Sequence, residues 1–254
     1  MKTLKIILLS LLMTLAFTAC QTVSVPPQPN NTQTGFSLPQ GMFLEEHLLK
    51  PNQYSSEGRL FTPAEGSMDE VLSKHADLLS KKEVSNPGDK KVEISSPTAL
   101  GDAQSLAVME DGKTILTVDV GQASPISPYS GLWEYGTDWY LEAAHVNVRE
   151  ENNITAIEPT GMVYLNGVSL NEKLGFEETF GFQLLNGKPF FFYQENGKIG
   201  FSWDGTLYEK RWDSIPHYNC CSAGAFNPIP AEKMVSFFAE KGSESYYVEL
   251  GFDG

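Results

Sequence analysis

From about Val92 onward, apolar and polar residues alternate between glycine-containing turns, which is the period of half-buried β-strands. Asp111-Gly112, Asn166-Gly167, Asn186-Gly187, Asn196-Gly197 and Asp204-Gly205 make five Asx-Gly pairs. Asx-Gly flanked by alternating apolar residues is the strongest short-range signal for a β-hairpin. Around Asn186-Gly187, Phe180, Phe182 and Leu184 alternate with Gly181 and Gln183. Beyond Asn196-Gly197, Ile199, Phe201 and Trp203 alternate with Gly200 and Ser202. Three of the turns are ten and then eight residues apart, a spacing that builds an antiparallel meander and leaves no room for parallel crossovers.

The pattern differs at either end. A short helical turn is expected at Met42–Leu49, stopped by Pro51. A longer helix is expected from Ser67, with Glu70 as its capping-box partner and Met68, Val71, Leu72, His75, Leu78 and Leu79 on one face. It should end near Lys82, before a loop at Asn86-Pro87-Gly88. Near the C-terminus, Pro230 reads as the start of a helix over Ala231–Lys241. Met234, Val235, Phe237 and Phe238 form its stripe and Gly242 its stop. Tyr246 to Leu250 reads as a closing strand. The expected fold class is a β-rich α+β domain: an antiparallel meander sheet, curled toward a barrel and covered by a few helices.

The first residues carry a different signal. Lys2 and Lys5 precede an apolar run, Ile6–Leu9 and Leu11–Leu15, broken only by Ser10 and Thr14. Small residues Thr18 and Ala19 then lead to Cys20. A basic start, a short apolar stretch and a small-residue cleavage site describe an export signal, too short to span a bilayer durably. Leu15-Ala16-Phe17-Thr18-Ala19-Cys20 resembles a bacterial lipoprotein box, with Phe17 where that family usually has Leu. The resemblance implies that Cys20 is lipidated (palmitate among its acyl chains) and becomes the mature N-terminus. Two acyl chains suffice for stable anchoring. Gln21 is not the aspartate that favours inner-membrane retention, so an outer-membrane location is expected if the host has one.

Thr22 to Pro39 holds Pro26, Pro27, Pro29, Asn30, Asn31 and Gly35 and no charge, the composition of a tether. The expected organisation is therefore a signal peptide at 1–19, a lipid-anchored tether at 20–39, a helical extension at 40–90 and a β-rich domain at 91–254. With 41% hydrophobic and 11% aromatic residues the chain has material for a substantial core. Its formal charge of −14 becomes −16 once Lys2 and Lys5 are removed. That balance excludes a basic nucleic-acid footprint and charge-driven docking on anionic lipid.

Candidate chemistry centres on His217-Tyr218-Asn219-Cys220-Cys221. Unpaired thiols are unusual in an exported protein, and with Cys20 acylated these two have each other, a metal or another chain. Adjacent Cα atoms lie about 3.8 Å apart, below the usual bridged separation of about 4.4–6.8 Å, so a vicinal Cys220–Cys221 disulfide is a strained ring. A metal site would combine His217, Cys220 and Cys221 with a fourth ligand from His47, His75, His145 or a carboxylate, but the spacing is not that of a zinc module. Two buried reduced thiols, or a His217–Cys220 base and nucleophile, complete the alternatives; no cysteine-enzyme signature surrounds them.

Twelve aromatic residues between Phe176 and Tyr218 offer either a stacking platform for a glycan or an apolar ligand, or the inner face of a sheet. Period two favours the inner face. The consecutive run Phe190–Tyr193 puts aromatics on both faces, so helices must cover both or one must meet something outside. The pairs Glu177 with Glu178, and Asp138 with Glu142, have acid/base composition. Among 32 acidic residues they read as solvated surface. His75 reads as an amphipathic edge residue. No phosphate loop, nucleophile elbow or zincin helix is present, and no cofactor is expected.

Trp139-Tyr140-Leu141-Glu142, Leu170-Asn171, Gly187-Lys188-Pro189-Phe190, Gly197-Lys198-Ile199-Gly200, Ile215-x-His217-Tyr218-x-Cys220-Cys221 and Asn227-Pro228 together resemble a pattern in uncharacterised secreted or lipid-anchored bacterial proteins. The resemblance covers roughly the last 120 residues. It implies a portable module and no site residue. The functional expectation is a cell-envelope lipoprotein that binds a small molecule, a glycan or another envelope protein. An envelope hydrolase with a dispersed active site and a structural interaction protein are the alternatives.

Overall fold

The computed structural model describes residues 37–55, 60–79, 85–151, 154–209, 211–218 and 227–253. Cys20 and the pair Cys220-Cys221 lie outside the described residues, as does the expected helix end near Lys82. The fold is β-rich α+β, built on antiparallel sheets, one of them curled into a half-barrel.

All five Asx-Gly pairs form turns with positive φ at both residues, such as 52° at Asn186 and 72° at Gly187. These are the signs of type I′ turns, whose twist matches that of the strands they join. The last three link β10 (Glu178–Leu185), β11 (Lys188–Glu195), β12 (Lys198–Trp203) and β13 (Thr206–Leu207) into the expected meander.

The Met42–Leu49 helix is corrected. These residues open β1 (Met42–Ser55), which pairs antiparallel with the last strand, β16 (Glu244–Phe252). Pairing on a sheet overrides weak local helical preference, because alternation sends Met42 and Leu44 into the core and Leu49 to the opposite face. The helix over Ala231–Lys241 is also corrected: Met234–Lys241 is β15, hairpinned to β16 through Gly242 (φ 61°). Apolar residues at 234, 235, 237 and 238 fit a helix or a strand covered on both faces. A partner strand decides for the second. From Ser67, α1 (Met68–Lys74) does form with its capping box, but it ends at His75 before the short α2 (Ala76–Leu79).

The meander lies between two other sheets. On one face, Phe180, Phe190, Phe192 and Phe201 meet Val235 and Phe237 of β15 and Val248 and Leu250 of β16. On the other face, Phe182, Phe191 and Tyr193 meet Tyr140 of β7 (Asp138–Glu151), Val163 and Leu165 of β8 (Ile154–Leu165) and Trp133 of β6 (Tyr129–Tyr135). The Phe190–Tyr193 run is thus covered on both faces by sheets rather than by helices. Strands β6, β7 and β8 belong to the half-barrel with β3 (Lys91–Ile94), β4 (Ala103–Glu110) and β5 (Lys113–Gln122). Its own core is Leu106, Val108, Val118, Val120, Leu132, Leu141 and Ala143. On the far side, α1 covers the outer face of the β15–β16–β1 sheet through Val71, against Leu49, Phe61, Phe238 and Tyr247.

Candidate functional site

A β-bulge sets the geometry. The β10–β11 register shifts between Phe180 and Gln183, and Gly181 takes φ 64° there. The N–H groups of Gly181 and Phe182 turn toward β7 and donate to the carboxylate of Glu142, at 3.0 Å to Oε1 and 2.6 Å to Oε2. The phenol of Tyr218 donates to Glu142 Oε1 as well. Burial pushes the Glu142 pKa up against the pull of these three donors. Burial, and then the Glu142 charge, push the Tyr218 hydroxyl well above its ordinary value.

Next to it, His217 lies flat on Phe180, with ring centroids 3.6 Å apart and planes 5° apart. Its Nε2 is 3.0 Å from Glu178 Oε1 and its Nδ1 2.6 Å from the carbonyl oxygen of Ile215. Glu178 Oε1 also accepts the Gly161 N–H at 2.6 Å. Gly161 is required here, since a Cβ would stand 2.4 Å from the Thr179 carbonyl oxygen. Thr179 accepts the Val163 N–H at 2.7 Å and donates to Asn171, which donates in turn to the Gly161 carbonyl at 3.0 Å. Asn227 holds the other side, donating to the Pro216 carbonyl at 2.6 Å and accepting the Phe238 N–H at 2.7 Å.

This network fastens β7, β8 and β10 to residues 215–218, the approach to Cys220-Cys221. The expectation that Glu142 and Glu178 are solvated surface is corrected: Glu142 is 4% exposed and the Glu178 side chain 13%. Buried donors on a bulged strand need an acceptor, and Glu142 supplies it. A glutamate flanked by Leu141, Ala143 and Ala144 was the available sequence signal. Asp138 instead accepts from Asn166 at the β8 turn, and Glu177 from the Gly197 N–H.

Of the candidate ligands, His217 meets an oxygen at each ring nitrogen. His145 packs against Gly121. His47 and His75 each approach Glu45 elsewhere, with Glu249 beside it on the outer face of the β1–β16 sheet. The twelve aromatics from Phe176 to Tyr218 are all packed in, or against, the two clusters flanking the meander. The stacking surface they offered is used as core. Chemically, the Glu142–Tyr218 pair can hold a proton away from water. Comparison with protein-family models, with curated proteins and with solved structures finds no match.

Proposed function

We propose that the protein is a lipid-anchored component of a bacterial cell envelope, held through Cys20, whose β-rich domain works by binding an apolar ligand or an apolar patch on another envelope component. The observation that carries this reading is the rim of the half-barrel. Leu116, Tyr129, Trp139, Met162 and Tyr164 are half-buried around its core. Val168, next in the chain to the Asn166-Gly167 turn, is 47% exposed. The Asn166-Gly167 turn gathers part of this rim, since a Cβ on Gly167 would lie 3.7 Å from Leu116 and 3.9 Å from Trp139. Clustered apolar side chains left partly open to solvent mark interaction sites. The apolar fluorescent probe N-phenyl-1-naphthylamine should bind saturably at one site, and Val168→Asp and Trp139→Ala should weaken it. Non-saturating fluorescence, or binding unchanged in both variants, would reject the rim. Cys20→Ser should move the protein from the membrane to the soluble fraction. Membrane partitioning equal to the parent's, with no acyl mass on the parent, would reject the anchor.

A further inference from the structure

Sheet register creates a second polar cluster, remote in sequence from the Glu142 network. In the β1–β16 pair, Glu45 stands directly opposite Glu249, and alternation along β1 puts His47 on the same face as Glu45. Like charges directly opposite one another destabilise an antiparallel pair unless something compensates. Glu249 has no exposure at all, yet one of its oxygens, Oε1, has no hydrogen-bond partner. Its Oε2 has His47 Nε2 at 3.2 Å. Above the sheet, α1 ends at His75, whose ring stacks on Phe43 with centroids 4.2 Å apart and planes 10° apart. That stacking fixes the plane of the imidazole. His75 Nε2 is buried with no hydrogen-bond partner and stands 3.6 Å from Glu45 Oε1.

The two residues that carry these orphaned atoms belong to one cluster. Ligand atoms of Glu45, His75 and Glu249 lie within 4.8 Å of one another. His47 Nε2 lies at the edge of this three-residue set, 3.9 Å from Glu45 Oε2 and 3.2 Å from Glu249 Oε2. In a tetrahedral zinc site, with bonds of about 2.0–2.1 Å, neighbouring ligand atoms stand about 3.3 Å apart. Side-chain adjustments would close the three on an ion and bring His47 in as the fourth ligand.

We propose that Glu45, His47, His75 and Glu249 form a binding site for a divalent transition-metal ion, Zn²⁺ being the best fit. Two imidazoles and two carboxylates favour Zn²⁺ and its first-row neighbours over Ca²⁺ or Mg²⁺, which prefer oxygen alone. A divalent cation cancels the two facing carboxylates and gives both orphaned atoms a bond, whereas a purely hydrogen-bonded cluster leaves them without one. Lys74, on the solvent side of His75, pairs with Glu45 Oε1. Its side chain is 55% exposed, so it can swing out and leave that oxygen to the ion. The 26% and 22% exposures of Glu45 and His47 leave an entry path. Binding would clamp α1 to the first and last strands of the sheet.

The test uses the mature protein, stripped with a chelator and titrated with ZnCl₂ against a chromogenic chelator. One equivalent should bind, and the melting temperature should rise with added Zn²⁺. His75→Ala and His47→Gln should each weaken binding by about tenfold or more and reduce that rise. Glu249→Gln should do the same if circular dichroism shows it folded, and the two histidine variants decide the matter if it is not. Co²⁺ should give the visible bands of a tetrahedral site with no thiolate charge-transfer band. Absence of one-equivalent binding, or binding unchanged in both histidine variants, would overturn the site. A cobalt–thiolate band abolished by alkylation would place the metal at Cys220 and Cys221 instead, and would overturn it equally.

Discussion

Glu142 on β7 accepts the backbone N–H of Phe182 on β10 at 2.6 Å, a bond between residues forty apart in the chain. It makes an acidic side chain part of the framework that shapes a bulged strand. Glu142→Ala leaves the N–H groups of Gly181 and Phe182 buried without an acceptor, and should cost about 1–3 kcal/mol in urea denaturation at neutral pH.

The same residue has a pH signature. Its pKa is raised by burial, so between the unfolded and the folded value the native state binds the proton that the unfolded state has released. Stability from this residue is full below the unfolded pKa and is lost as pH rises through the folded one. Relative to Glu142→Gln, the parent should be most stable in acid and should lose that advantage as pH rises. A parent that gains on the variant with rising pH would contradict the direction.

Phe191 and Phe192 point to opposite faces of the meander and are both buried. Each Phe→Ala change should cost about 3–5 kcal/mol by chemical denaturation, because each leaves a cavity between two sheets. In a meander covered on one face, one of the two substitutions would be nearly silent.

Gly197 sits at φ 67°, and an added Cβ would meet nothing within 4 Å. Gly197→Val should therefore cost about 1 kcal/mol or more from backbone strain alone. Gly197→Asn should cost less, since asparagine tolerates the left-handed region. Equal stability of all three forms would show that the turn does not hold this conformation in solution.

For Cys220 and Cys221, thiol titration and intact mass should show no free thiol before reduction, then two added hydrogens without separation of chains. Two thiols that titrate in the untreated protein would exclude the bridge. A doubled mass that halves on reduction would show a cross-linked dimer.

What the sequence disclosed depended on how local each determinant is. Asn196-Gly197 prescribes its own φ angles, so the turns and the meander order could be read directly. Met234–Lys241 carries a pattern that two secondary structures share, and only the presence of β16 beside it decides. Met42–Leu49 is a strand for the same reason, with its partner at the far end of the chain. The polar sites were the least legible. Apart from the apolar neighbours of Glu142, nothing sets it or Glu249 apart among 32 acids until the fold places donors, or a second carboxylate, beside them. His75 gave no more sign, since its neighbours Phe43 and Glu45 come from another element.

The pairing of β1 with β16 has a consequence for how the chain is made. Strand β16 lies between β15 and β1, and contacts across it, such as His47 to Glu249, join residues 202 positions apart. During synthesis from the N-terminus, β1 emerges long before β16 and until then has only the short strand Leu60–Pro63 to pair with. Such long-range closure is slow and leaves apolar strand edges bare meanwhile, which is when a chaperone has most to shield. Deleting Glu244–Phe252 would trim no ragged end; it would take out the strand that joins the two halves of the sheet.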